Sequence, residues 1–156
     1  MANLTIIDIS WSERSKVVYS RAQGVYVLPD DDNLSTQGFY CIYGRHPVYG
    51  PDVLLYIGET KATASGSRSF DVRLREHTAG RFWYHANLSY SLGISEKPLD
   101  TLETRLAESI LIAAHKPALN RRSIDRALPG SEKYLIRNWD FPASLQHECS
   151  GEYWRQ

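Results

Sequence analysis

Two apolar runs, GFYCIY at residues 38–43 and VLLYIG at 53–58, are separated by only nine residues, GRHPVYGPD. A parallel pair needs a crossover of a dozen or more residues, so these runs are expected to be antiparallel neighbours in one sheet. The unbroken apolarity of the second run marks an interior strand. Within the link, HPVYGP reads as an enlarged loop. Each run also sets a tyrosine near a glycine, Tyr40 after Gly38 and Tyr56 before Gly58. Valine or leucine would fill core space as readily, so the two hydroxyls call for another explanation.

Around this pair the sequence alternates between strand and helix signals. GVYVL at 24–28 reads as a further strand, divided from the first run by the turn-rich PDDDNLSTQ. SFDVRLREHTAG, 69–80, reads as a short helix, with Ser69 as N-cap, Phe70 and Leu74 on one face and Gly80 as its stop. HANLSYSLG, 85–93, alternates as a strand does. PLDTLETRLAESILIAAHKP, 98–117, is the strongest helix. Asp100 with Glu103 forms a capping box, Leu102, Leu106, Ile110 and Ala113 form an apolar stripe, and Pro117 ends it. The order strand, strand, helix, strand, helix predicts an α+β fold. The C-terminal stretch is aromatic, and Trp139, Phe141, Tyr153 and Trp154 make either a core layer or a dimer surface.

At 156 residues the chain is long enough for one domain with its own core. Lys plus Arg equals Asp plus Glu, 18 each, so net charge favours no class of partner. Its distribution is more informative: residues 116–126 hold Lys116, Arg121, Arg122 and Arg126 against Asp125 alone, which predicts a locally basic surface. Cys41 and Cys149 lie far apart and read as reduced thiols. The opening MANLTIIDIS lacks a basic segment and a long apolar stretch, and no later run is long enough to span a bilayer, so a cytoplasmic protein without a membrane partner is expected.

A few side chains carry chemistry. Arg73 and His77 are four apart and share a helix face, which suits an anion such as phosphate. Glu108 lies between apolar neighbours on the long helix, a carboxylate that is either at a cleft edge or paired with a cation. The histidines and cysteines have no zinc-ligand spacing, and neither a phosphate-binding glycine loop nor a nucleophile elbow is present.

In order, Gly38-Phe39-Tyr40, Tyr56-Ile57-Gly58, RLREH at 73–77, Glu108, and Lys116-Pro117 with Asn120 resemble the GIY-YIG nuclease family over about residues 38–122. Glu108 stands twelve residues before an asparagine that follows a proline, as in family members. The resemblance implies a small central antiparallel sheet of three strands flanked by helices, in one domain spanning 1–156, with short extensions at 1–37 and 123–156. It also implies a metal-dependent endonuclease that hydrolyses DNA phosphodiester bonds. In the family both tyrosines point their hydroxyls into one active site, which would account for Tyr40 and Tyr56.

On this resemblance Glu108 holds one Mg²⁺ or Mn²⁺ per site and Arg73 grips the non-bridging phosphate oxygens. Tyr40 is the candidate general base, with Tyr56 and His77 positioning the attacking water and His77 the rival base. Asn120 organises the loop after the glutamate helix. Lys61, Arg68, Arg75, Lys116, Arg121 and Arg122 are the candidate DNA contacts. Gly24-Val25-Tyr26 is a rival first motif, set aside because Tyr40 lies nearer Tyr56. A module that binds DNA or a protein partner without cutting is the alternative. A homodimer would supply a second site for the second strand.

Overall fold

β-Strands account for most of the regular structure, and alternation explains the first of them. The structure, a computed structural model, describes residues 3–60, 62–63, 66–79, 87–140 and 144–154. The N-terminal strands are β1 (Thr5–Trp11), β2 (Ser15–Lys16), β3 (Val18–Ser20) and β4 (Val25–Val27). Next come β5 (Phe39–His46), β6 (Gly50–Glu59), β7 (Ala62–Thr63), β8 (Gly66–Ser67) and helix α1 (Phe70–Ala79). β9 (Ser89–Ser95), helix α2 (Thr101–His115), β10 (Tyr134–Trp139) and β11 (Glu148–Ser150) follow. In β1 the odd positions Ile7, Ile9 and Trp11 are buried, so a period of two selects one face for the core.

The main sheet runs β11-β10-β1-β9-β5-β6, with β2 paired beside β9. The pairs β1–β9, β9–β5 and β5–β6 are antiparallel, whereas β1 and β10 run parallel. The expected small antiparallel sheet flanked by helices is therefore overturned: the fold is mostly β, a mixed sheet curled into a half-barrel, with two α-helices among the described residues. The physical reason lies outside residues 38–122. β1, β2, β10 and β11 all come from segments read as extensions, and each adds a strand to the sheet. Trp11 Nε1 donates to Asn138 Oδ1 at 2.8 Å in the buried interior, and Arg137 grips Asp8 with two bonds at 2.7 and 2.8 Å, so the two ends of the chain are tied together.

Other local readings also change. The link between β5 and β6 is a tight turn at residues 47–49, because both strands extend beyond their apolar runs. His46 Nδ1 accepts from the Val48 and Tyr49 amides at 3.1 and 3.2 Å and closes that turn. Val25–Val27 pairs with β3 in a separate two-stranded sheet, away from the main one. In α2 the capping box is present, Glu103 N–H to Asp100 at 2.8 Å and Asp100 N–H to Glu103 at 3.1 Å, but Leu102 is 63% exposed and does not join the apolar stripe. The expected stop at Gly80 lies outside the described residues.

Both faces of β5 are covered, which is why its sequence is apolar without alternation. Phe39, Cys41 and Tyr43 pack with α2 residues such as Ile110 and Leu111, while Tyr40 and Ile42 pack with Phe70 and Leu74 of α1. β6 carries a bulge. Ile42 pairs with Tyr56 and Tyr43 with Leu54, which leaves Leu55 without a partner across the ladder. Leu55 and Tyr56 consequently both lie with the α1-side cluster, and the strand's alternation is reset at Tyr56. β6 is the last strand of the sheet and not the interior strand its apolar run suggests. The segment after α2 covers its outer edge, where the Ala118 and Leu119 amides donate to the Leu54 and Leu55 carbonyls at 3.2 and 2.8 Å.

Candidate active site

Tyr40 and Gly58 face each other across the β5–β6 ladder. A Cβ on Gly58 would fall 2.3 Å from the Tyr40 hydroxyl, 2.4 Å from its Cζ and 2.8 Å from Tyr56 Cε1, so glycine is the residue over which both rings can lie. The two rings stack with centroids 6.1 Å apart. The Tyr40 hydroxyl is 2.7 Å from His77 Nε2, and the Tyr56 and His77 rings are 4.6 Å apart. Tyr40 is fully buried and His77 is 7% exposed. Burial pushes the Tyr40 phenol far above its ordinary value, against the opposing pull of the Arg73 guanidinium, with Tyr56 and Glu108 adding to the rise.

Beyond this buried pair lies an open groove of about 1650 Å³. It runs past the β6 end of the sheet, where α1 and α2 approach from opposite faces. Tyr56 and Glu59 of β6, Arg68 and Arg73 at α1, and Arg105, Glu108 and Ile112 of α2 line it, with residues 120–130 along one side. Arg105, Glu108 and Ile112 recur at i, i+3 and i+7 and so share one face of α2. The site residues Tyr56, Arg73, Glu108 and Asn120 thus meet on one groove although they span 64 positions of sequence from Tyr56 to Asn120. Tyr40 and His77 are not among the groove-lining residues, although the Arg73 guanidinium, which is, acts directly on the Tyr40 phenol.

Arg73 is ion-paired with Glu76 at 2.5 Å, and its side chain is 21% exposed. Burial would weaken its charge, but Tyr40, Glu76 and Tyr56 outweigh that and move its pKa up, so the guanidinium stays cationic. Asn120 is 6% exposed and acts as a clamp: Oδ1 accepts from the Ile57 amide and Nδ2 donates to the Ile57 carbonyl, both at 2.9 Å. This anchors the chain after α2 to the strand that carries Tyr56.

The other basic residues divide. Arg68, Arg121 and Arg122 line the groove. Arg75 bonds Asp71 at 2.8 Å and lines a separate acidic hollow with Asp30, Asp31 and Asp32. Lys116 caps α2 in the left-handed conformation at φ 47°, and its ammonium bonds the Ile124 carbonyl and lies 5.2 Å from the Trp154 ring centre. Lys61 lies outside the described residues. Tyr26, the rival first-motif tyrosine, packs edge-on against Tyr19 in the β3–β4 hairpin and is no part of the groove lining.

The sequence reading did not single out Glu59 or Arg105. Glu59 is 8% exposed and brings a second carboxylate to the groove. Its signal was its place directly after Tyr56-Ile57-Gly58; that of Arg105 was a position one helical turn before Glu108. Comparison of this chain with protein-family models, with curated proteins and with solved structures finds no match. No helix among the described residues is long and apolar enough to cross a membrane.

Proposed function

We propose that the chain is a metal-dependent endonuclease of GIY-YIG type that hydrolyses DNA phosphodiester bonds. The observation that carries this reading is the groove itself: a phenol (Tyr56), a guanidinium (Arg73) and a carboxylate (Glu108), from a strand and two helices, line one open cavity. Phosphoryl transfer asks a protein mainly for positioning and for charge stabilisation around the phosphorus, and these three groups have that chemistry.

The donors suit a hard divalent ion. Glu108, with Glu59 nearby on the same lining, offers carboxylate oxygens, and no cluster of three His, Cys, Asp or Glu side chains stands among the described residues. An ion held by one or two carboxylates while keeping several waters is the habit of Mg²⁺, and Mn²⁺ shares its preference for oxygen ligands. When bound, such an ion supplies Lewis-acid stabilisation of the leaving oxygen and the phosphoryl charge. Arg73 binds the non-bridging oxygens and must share its guanidinium with Glu76. Tyr56, the phenol on the groove lining, orients the attacking water. As the water oxygen bonds to phosphorus, its proton passes to Nδ1 of His77, whose Nε2–H is held by Tyr40, and the bond from phosphorus to the leaving oxygen breaks. Tyr40, hydrogen-bonded to His77 and acted on by the Arg73 guanidinium, holds the imidazole in place and is the rival base.

Glu108→Ala should abolish Mg²⁺-dependent cleavage of plasmid, a loss of at least a hundredfold, with the thermal melt unchanged. Cleavage retained by this variant overturns the assignment. Binding of DNA by the wild type without cutting in Mg²⁺ or Mn²⁺ would instead favour a module that binds and does not hydrolyse.

A further inference from the structure

The groove's arginines fall into two sets. Arg68 and Arg73, at the α1 side, both pair with Glu76, at 3.7 and 2.5 Å. Arg105 of α2 and Arg121 and Arg122 of the following segment are exposed and make no side-chain hydrogen bond or ion pair among the described residues. Three uncommitted guanidinium groups thus line the groove together with Glu108. Two acids from the segment after α2 line it as well. Glu132 is engaged by the Gly130 amide at 3.0 Å, and Asp125 is exposed between Arg122 and Arg126.

The segment that carries Arg121 and Arg122 is tied at both ends. Asn120 clamps Ile57 at its start, and at its end the Ala127 amide donates to the Trp154 carbonyl at 2.9 Å and the Leu128 amide to Ser109 Oγ at 3.0 Å. Ser109 stands one turn after Arg105 on α2 and itself bonds the Leu106 carbonyl and Ser131. Between the two ends Ser123 takes a left-handed φ of 59° that turns the strap. A free loop would lose entropy on ordering around a ligand; this strap has met that cost in the fold.

We infer that Arg105, Arg121 and Arg122 form a backbone-tracking site that binds successive phosphates of one nucleic-acid strand along the groove that Glu108 lines. Guanidinium groups uncommitted to protein acids, lining one open groove, suit a row of phosphodiesters and carry no base readout. The position relative to a scissile bond rests on the nuclease reading; the phosphate binding does not.

The test measures binding in a chelator, where hydrolysis is stopped, by fluorescence anisotropy of a labelled 20-base-pair duplex over a series of NaCl concentrations. Each phosphate contact contributes about 0.9 to the slope of log affinity against log salt on duplex DNA. Arg105→Gln should lower the slope by about 0.9 and the triple variant with Arg121→Gln and Arg122→Gln by about 2.7, equally for unrelated sequences. Arg21→Gln, in the β3–β4 turn outside the groove, should leave it unchanged. A triple variant with the wild-type slope, or a wild type without salt-dependent binding, overturns the inference. If the wild type also cuts plasmid in Mg²⁺ while the triple variant keeps its slope, the strap site falls and the nuclease reading stands. A slope that falls as expected in a protein that never cuts removes the nuclease reading and leaves the strap site.

Discussion

Gly58 decides how much of the site can exist. Its missing side chain lets the Tyr40 and Tyr56 rings lie over β6, and through Tyr40 it sets where His77 sits. The requirement is steric: a methyl group there would overlap a buried ring with no open side toward which to swing. Gly58→Ala should destabilise the protein by about 1–3 kcal/mol, the usual range for overpacking a filled core, and reduce cleavage with it. Urea unfolding reads the first effect; a midpoint equal to wild type would mean that Tyr40 is less confined than its burial indicates. At this scale the sequence was informative about which side chains gather around β6 and less so about their burial. Tyr40 and Tyr56 look alike in their motifs, yet one is sealed against His77 and the other faces the groove. Their difference comes from strand order: Tyr40 lies on β5, between β9 and β6, whereas Tyr56 lies on β6, the last strand of the sheet, and no pattern of apolar positions announces that order.

α2 is the element whose ends and face were most legible, because its capping box and the proline beyond it act within a few residues. Its last residue shows what such local signals leave out. His115 Nδ1 lies 2.8 Å from the Leu111 carbonyl, and its Nε2 accepts the Gln146 amide at 2.8 Å, which pins the segment before β11 to the helix end. That arrangement needs a neutral ring with the proton on Nδ1. Burial lowers the pKa below the ordinary 6.5, while the bond to Leu111 opposes the fall. A folded pKa below the unfolded one means stability is full above about 6.5 and declines as pH drops, since the unfolded chain takes up the proton first. His115→Ala should cost about 0.5–1.5 kcal/mol at pH 8 through the lost hydrogen bond to the Gln146 amide. Its stability should also fall less steeply than that of the wild type between pH 7 and 5. Parallel stability profiles for the two proteins would show that His115 is not the group responsible.

For the whole molecule, the parallel β1–β10 pair joins residues near opposite ends of the chain and makes the sheet one unit. Residues 38–122, which hold every described residue assigned to the chemistry, lack β1, β2, β10 and β11. Expressed alone, that span would expose the Ile110 and Leu111 face of α2, which packs with Ile7, Ile9, Trp11 and Ile136. It should therefore show no cooperative urea transition, whereas the full chain should unfold in a single step. A sharp transition in the isolated span would show that the outer strands are additions to a self-sufficient core. By itself the sequence determined the antiparallel pairing of β5 with β6 and the capped start and proline stop of α2, because turns, caps and short motifs act between near neighbours. Only the tertiary structure decided the half-barrel, the burial of Tyr40 and the strap that carries Arg121 and Arg122 along the groove. These depend on contacts across most of the chain, such as Trp11 to Asn138 and Asn120 to Ile57, whose bonding partners no local pattern encodes.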